Sequence, residues 1–412
     1  MKPSTVTALA CVAVLLAGCG QSDHQRGAAA PQAATLLSGT ARQVALGSLD
    51  AHGMADAQRS FGADLLKALC RGEGSANVTV SPASAALALG QLDAGARGDT
   101  RAKIDALLHL PRWSDAVVAA YRAQRTELTK LTQLQISNHL YSGFGNPPTK
   151  PTLDDVATAF GSNLAQLDFT KPAATDAINA DVNRDTHGLI RTLFDEPLDA
   201  STVAVLTNAL HLKADWVTPF DATVDRPFRT EAGPIVTARM MSAHDLAAPY
   251  RSLDGWQSAA LPYTGGQLTA YAILPPKGSS CADVTGATLT ALTTGPAREQ
   301  TSLQMPKVDL AQQHDLLKPL QALGLPTDGV IDYSGLGPQV DGISTVVQKI
   351  VVKVDQKGTE AAAATGIGVI AMAGRRGPTH ALVLDHPYLL IIQDTKTGTP
   401  LFLSRITDPT RG

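Results

Sequence analysis

Apolar positions recur with a period of two near the C-terminal end of this chain. Ile350, Val352 and Val354 alternate with Val351, Lys353 and Asp355, which predicts a strand. Lys357 and Gly358 interrupt it, and a tract of small residues follows. The tract keeps the period. Thr359, Ala361, Ala363, Thr365, Ile367 and Val369 make one uncharged face, and Glu360 carries the only charge on the other. A segment patterned this way can lie in a sheet with Thr359 through Val369 turned to the core. Its composition also suits a flexible Ala/Gly linker. A second apolar strand is predicted at 381–384.

A different period marks the helices. Phe61, Leu65, Leu66 and Leu69 share one face of an amphipathic helix. Ser81 followed by Pro82 is helix-start chemistry, a capping residue and then proline at the first helical position.

The N-terminal region reads as targeting rather than as fold. Lys2 precedes a short apolar run at 8–17, too short to span a bilayer as a mature helix. The run ends in Leu16-Ala17-Gly18-Cys19, which resembles a bacterial lipobox. That resemblance implies that Cys19 is lipidated and becomes the mature N-terminus; the plainer reading is simple secretion. Gly20, where an aspartate would signal inner-membrane retention, favours the outer membrane by the same resemblance. Residues 20–50, rich in Ala, Gln, Gly and Ser, predict a disordered tether. The expected division is a signal peptide at 1–18, the lipidated cysteine and a flexible tether at 19–54, and a folded domain at 55–412.

With 412 residues and 44% hydrophobic content, the chain can build one large domain or two ordinary ones. A net charge of −3 without charged blocks gives nucleic acid nothing to bind. Of four cysteines, Cys11 leaves with the signal and Cys19 is committed to lipid. Cys70 lies on the apolar helix face, the setting of a buried thiol, while pairing with Cys281 stays open. GxSxG, SxxK, HExxH and P-loop motifs are absent, and the ten histidines lack ligand spacing. No catalytic residue, metal or cofactor is expected.

The small-residue tract carries a family resemblance. KGTEAAAAT at 357–365 resembles the hinge of a serpin reactive-centre loop, and DHPYLLIIQDTKTGTPLFLSRITDPT at 385–410 resembles the C-terminal serpin hairpin. Further pieces follow in family order. They are NVTVSPAS at 77–84, GARGDT at 95–100, ISNHLYS at 136–142 and the IN…THGLI segment at 178–190. VLTNALHLKADWVTPF at 205–220, LQMPKVDL at 303–310 and ISTVVQKI at 343–350 complete the set. Residues 314–325 resemble a helix ending at Gly324, a C-cap signal.

The resemblance implies an α+β serpin fold of three β-sheets, about eight or nine helices and an exposed reactive-centre loop. It implies a hinge at Gly358, Thr359, Glu360, Ala361, Ala362, Ala363 and Ala364. Ser81, Ser84, Asn179 and Gln348 become shutter residues beneath the main sheet, and Trp216 a breach residue. Many serpins carry histidine where Gln348 stands; an amide still donates and accepts. The implied function is suicide-substrate inhibition of a serine protease, through a covalent complex, by a monomer held to the cell envelope by lipid or secreted. The loop length usual in the family, counted from Gly358, implies a reactive bond between Met372 and Ala373, after apolar Val369, Ile370 and Ala371. That suits elastase-, chymotrypsin- or subtilisin-like enzymes. The alternatives are a trypsin-like target cut at Arg375 or Arg376, or a non-inhibitory serpin serving as an envelope binding module.

Overall fold

The computed structural model of the chain describes residues 34–145, 147–294, 298–327, 329–359 and 379–411. Eight α-helices occur among them: α1 (Ala51–Glu73), α2 (Pro82–Gly95), α3 (Gly98–Leu107), α4 (Asp115–Leu128), α5 (Lys150–Ala159), α6 (Ala173–Asp185), α7 (Gly286–Thr293) and α8 (Leu317–Ala322).

Three sheets carry the architecture. Sheet A runs β1 (Ala34–Leu37), β4 (Leu164–Leu167), β3 (Leu134–Gly143), β5 (Ala204–Leu212) and β13 (Thr345–Val354). β12 (Val308–Asp315) pairs with β13 on its other side, and the short β14 (Gly358–Thr359) and β6 (Ala214–Asp215) extend one end. Sheet B runs β9 (Trp256–Pro262), β10 (Leu268–Leu274), β16 (Tyr388–Asp394), β17 (Pro400–Ile406) and β2 (Val78–Val80). Sheet C holds β7 (Ala222–Arg229), β8 (Ile235–Leu253), β11 (Arg298–Pro306) and β15 (His380–Val383). The long β8 serves both, pairing with β7 and β11 up to Pro249 and with β9 from Tyr250.

Sheet A is covered on both faces, and β5 shows why the sequence allows it. Leu206, Leu210 and Leu212 join the main core with α2, while Val205 and Ala209 join a smaller core with Ile178 and Val182 of α6. All nine residues of β5 are buried, and six of them are apolar, with Thr207, Asn208 and His211 the polar exceptions. α2 is buried along its whole length, as its small and apolar residues permit. Its start follows the expected chemistry: the Ser84 N–H donates to the Ser81 hydroxyl at 3.3 Å, and Pro82 opens the helix.

Three expectations change. Residues 34–50, assigned to a flexible tether reaching 54, are packed on the body. β1 pairs antiparallel with β4, the Thr40 N–H donates to Asp154 at 2.7 Å, and Arg42 donates to Asp155 at 2.7 Å. Val44 is buried, and α1 starts at Ala51. Composition hides this because the partners lie over a hundred residues away. Cys70, expected as a thiol, is joined to Cys281 in a disulfide with Cα atoms 6.4 Å apart. His314, expected to open a helix, sits in β12 opposite Gln348; the helix is only Leu317–Ala322, followed by Gly324 at φ +104°.

Candidate functional site

The centre of sheet A is a parallel seam. β5 and β13 run side by side from Val205 opposite Thr345 to His211 opposite Val351. β13 then turns back on itself. The Asp355 carboxylate accepts the N–H groups of Lys357 at 2.7 Å and Gly358 at 3.2 Å, and the Asp355 N–H donates to the Gly358 carbonyl at 2.9 Å. The turn delivers β14 antiparallel to β13 on one side and to β6 on the other. Gly358 is required there, since a Cβ would stand 2.1 Å from the Ala214 carbonyl oxygen. Hence Gly358 and Thr359, at the root of the small-residue tract, already lie as a strand at the open end of the seam.

A clamp holds that entry. Thr359 is fully buried, and its hydroxyl meets the Tyr263 hydroxyl at 2.6 Å. Tyr263 stacks on Trp216 with ring centroids 4.2 Å apart. The Trp216 indole N–H donates to the Asp355 carbonyl at 3.0 Å, and its backbone N–H donates to the Lys357 carbonyl at 2.7 Å. Burial pushes the Tyr263 phenol well above its ordinary pKa, so it stays neutral. Trp216 thus lies against the turn that leads into β14. Thr359 was expected to face the core once the loop inserts; it does so already in the intact chain.

Deeper along the seam lies a polar rung. Asn138 of β3, Asn208 of β5, Gln348 of β13 and His314 of β12 stand opposite one another across four neighbouring strands. Gln348 Nε2 donates to Asn208 Oδ1 at 2.6 Å, and Asn208 Nδ2 donates to Asn138 Oδ1 at 2.5 Å and to the Ser84 hydroxyl. Gln348 Oε1 accepts the Ser81 N–H at 2.9 Å, and Gln348 Nε2 also donates to the Ser81 carbonyl at 3.2 Å. The Ser84 hydroxyl donates to Asn138 Oδ1 at 2.8 Å. His314 Nδ1 lies 2.9 Å from Glu73. The rung thus ties the sheet to the N-terminus of α2, and its two buried amides, Asn208 and Gln348, each both donate and accept.

Of the expected shutter residues, Ser81, Ser84 and Gln348 meet here. Asn179 does not. It sits on α6, where its side chain accepts the N–H groups of Leu193 at 2.8 Å and Phe194 at 3.0 Å and donates to the Phe194 carbonyl at 2.8 Å. Its work is to fasten the chain that returns from α6. Asn138, Asn208 and Tyr263 were missed. Asn208 left a signal: the one amide in a buried strand that is mostly apolar. Glu360, Ala361, Ala362, Ala363, Ala364, Met372, Ala373, Arg375, Arg376 and Cys19 lie outside the described residues.

A sheet with a parallel seam, entered at one end by the root of a small-residue tract and tied below by an amide rung, is serpin architecture. Residues 56–409 match the family described as Serpin (serine protease inhibitor), and the chain belongs to that family. It is a protease inhibitor and not an enzyme. Similar proteins include Iripin-8 of Ixodes ricinus, 31% identical over 87% of this chain and 94% of that one. Leukocyte elastase inhibitor of Bos taurus is 30% identical over 86% of this chain and 98% of that one. Among solved structures, the thermophilic serpin Tengpin in its native state shares the fold with a TM-score of 0.78 at 23% identity, covering 90% of this chain and 97% of that one.

Proposed function

We propose that this serpin traps its protease as a suicide substrate cut between Met372 and Ala373. The protease serine attacks the Met372 carbonyl, an acyl bond forms, and the Ala373 amine leaves with the proton. The freed strand then zips into the seam behind β14. The observation that carries this reading is β14 itself, a strand already antiparallel to both neighbours at the mouth of a parallel seam. Each further residue inserted exchanges one parallel contact for two antiparallel ones. The barrier to that exchange keeps the uncut chain short of its most stable fold.

The apolar residues before Ala373 direct the inhibitor to an elastase-, chymotrypsin- or subtilisin-like pocket; a trypsin-like pocket needs a cation. The name of the bovine relative supports that preference. The protein acts as a monomer on the bacterial cell envelope, held through lipid on Cys19. The Leu16-Ala17-Gly18-Cys19 motif supports the anchor, and the Cys70–Cys281 disulfide supports an oxidising compartment.

The test is incubation with pancreatic elastase, chymotrypsin, subtilisin and trypsin, followed by denaturing gels and mass spectrometry. An SDS-stable complex with the first three and a released fragment beginning at Ala373 is the expected result. A fragment beginning at Arg376 or Gly377, with trypsin alone trapped, moves the reactive bond to the arginine pair. Cleavage by every enzyme without a complex refutes inhibition by this route and leaves a binding module. For the anchor, Cys19→Ser is expected to move the folded protein from the membrane to the soluble fraction; its full retention in membranes refutes lipidation.

A further inference from the structure

Beside the polar rung lies a cavity of about 640 Å³ between α2, α4, the end of α5 and β3. Its size is that of a site for a small organic molecule. Leu87, Leu128, Leu131, Leu134, Ile136 and Phe160 give it an apolar lining. Three polar groups in it are unspent. Arg125 makes no ion pair or side-chain hydrogen bond among the described residues. The Gln91 side chain is 2% exposed, and its Oε1 has no partner among the described residues. The Ser162 hydroxyl is likewise buried without one.

Arg125 is placed there by a glycine. α5 ends at Ala159, and Gly161 follows with φ +61°, a conformation other residues rarely hold. The guanidinium lies directly against the Gly161 Cα, where a Cβ would come within 1.4 Å of Nη1. The carboxylate among the lining residues, Asp185, is already engaged by His139 at 2.6 Å, by Ser137 at 2.9 Å and by Arg184 at 3.0 Å. Hydrogen bonds from His139 and Ser137 outweigh its burial and hold its pKa below the usual value, so it stays charged and committed to them. The guanidinium is therefore left as an unmatched cation at an apolar cavity. A cation there is matched by an anion, and an apolar lining by an apolar body.

We propose that this cavity binds a small amphiphilic carboxylate, its acid group on Arg125 and its apolar body against Leu128, Leu131 and Phe160. The Gln91 and Ser162 groups supply polar contacts along its length. One wall is the rung itself: Gln91 Nε2 donates to the Asn138 carbonyl at 3.3 Å, and the Asn138 side chain bonds Asn208. The ligand would rest against the strand next to the seam.

The test titrates the full-length protein with naphthalene-2-carboxylate and, separately, with naphthalen-2-ylmethanol, by calorimetry. The carboxylate is expected to bind at least about tenfold more tightly than the alcohol, the order of one charge-assisted pair. Arg125→Gln is expected to remove that preference, and Arg125→Lys to keep part of it, with unchanged thermal melts showing that both variants fold. Thr129→Trp, at the exposed rim, is expected to block both compounds. Absence of carboxylate binding, equal binding of acid and alcohol by the wild type, or undiminished binding by a folded Arg125→Gln overturns the proposal.

Discussion

Two strand seams in this protein are built on opposite plans. Between β16 and β17 in sheet B, the strands are antiparallel and joined by a short turn, and every residue of both is buried. Leu389, Leu390, Ile391 and Ile392 face a partner strand bearing Leu401, Phe402, Leu403 and Ile406. Between β5 and β13 in sheet A, the strands are parallel and come from distant parts of the chain. Amides bridge that seam at its middle, and Thr359 stands in its mouth. A hairpin packed with apolar side chains has no intermediate in which it is half open without exposing them. A parallel seam tied by amides has one: an incoming strand can take over backbone hydrogen bonds, and the amides can find new partners. The difference separates a part made to stay shut from a part made to admit a strand.

The largest expected effect breaks the seam at its mouth. Thr359→Arg puts a guanidinium where a fully buried hydroxyl now meets Tyr263. An unpaired buried charge costs several kcal/mol, roughly enough to expel β14 and stall insertion. The variant is expected to be cleaved as a substrate, with complex on denaturing gels falling at least about tenfold. Glu360→Arg, on the other face by alternation, is expected to do less harm. An unchanged complex yield for Thr359→Arg refutes the role of β14.

The next expected effect falls on sheet B. Ile391→Ala leaves a cavity in a strand with no exposed residue and should cost about 3–4 kcal/mol of stability. Because that seam does not open, the fraction of encounters ending in complex should stay at the wild-type value. A fall in that fraction matching the fall in stability would show that the two seams are not independent. Asn208→Ala is the corresponding change in sheet A. It removes the Asn208 bonds to Gln348, Asn138 and Ser84, leaving Gln348 Nε2 only the longer bond to the Ser81 carbonyl, for a cost of about 2 kcal/mol. Here stability and insertion should change together: the uncut protein should lose activity on warming faster than the more destabilised Ile391→Ala. The reverse order would remove the rung from any control of the seam.

How much of this the sequence could show follows from the range of the forces involved. The period of two through Thr359 and the glycine before it are local, and they were readable. So was the Ser81 cap. The rung was half readable. Gln348 and the two serines came from family pattern, but the partner is Asn208, not Asn179. Both are asparagines near family motifs, and only the register of β5 against β13 distinguishes them. Tyr263 was invisible for the same reason, since its meeting with Thr359 joins residues 96 positions apart. The disulfide and the packed segment at 34–50 depend on still longer separations, 211 and over a hundred positions.

That packed segment forms a third seam, between β1 and β4, and carries the smallest prediction. β1 is four residues long and partly exposed, so its pairing gives little by itself. The anchor is Arg42, which reaches Asp155 at 2.7 Å and Asp115 at 2.8 Å. Both pairs are open to solvent on at least one side, with Arg42 37% exposed and Asp115 68% exposed, so their contribution is about 1 kcal/mol at most. The hydrogen bond from Arg42 holds the Asp115 carboxyl below its usual pKa. A carboxyl depressed in the folded state contributes stability that is complete above its unfolded pKa. That contribution is lost as pH falls through the folded pKa. Arg42→Ala should therefore lower stability by about 1 kcal/mol at neutral pH in low salt, by less in high salt, and by almost nothing in strong acid. It should also expose residues 34–50 to limited proteolysis while leaving complex formation with a target protease intact. A variant whose proteolysis pattern matches the wild type would show that β1 and Val44 hold the segment without the ion pairs, making this seam an apolar one like that of sheet B.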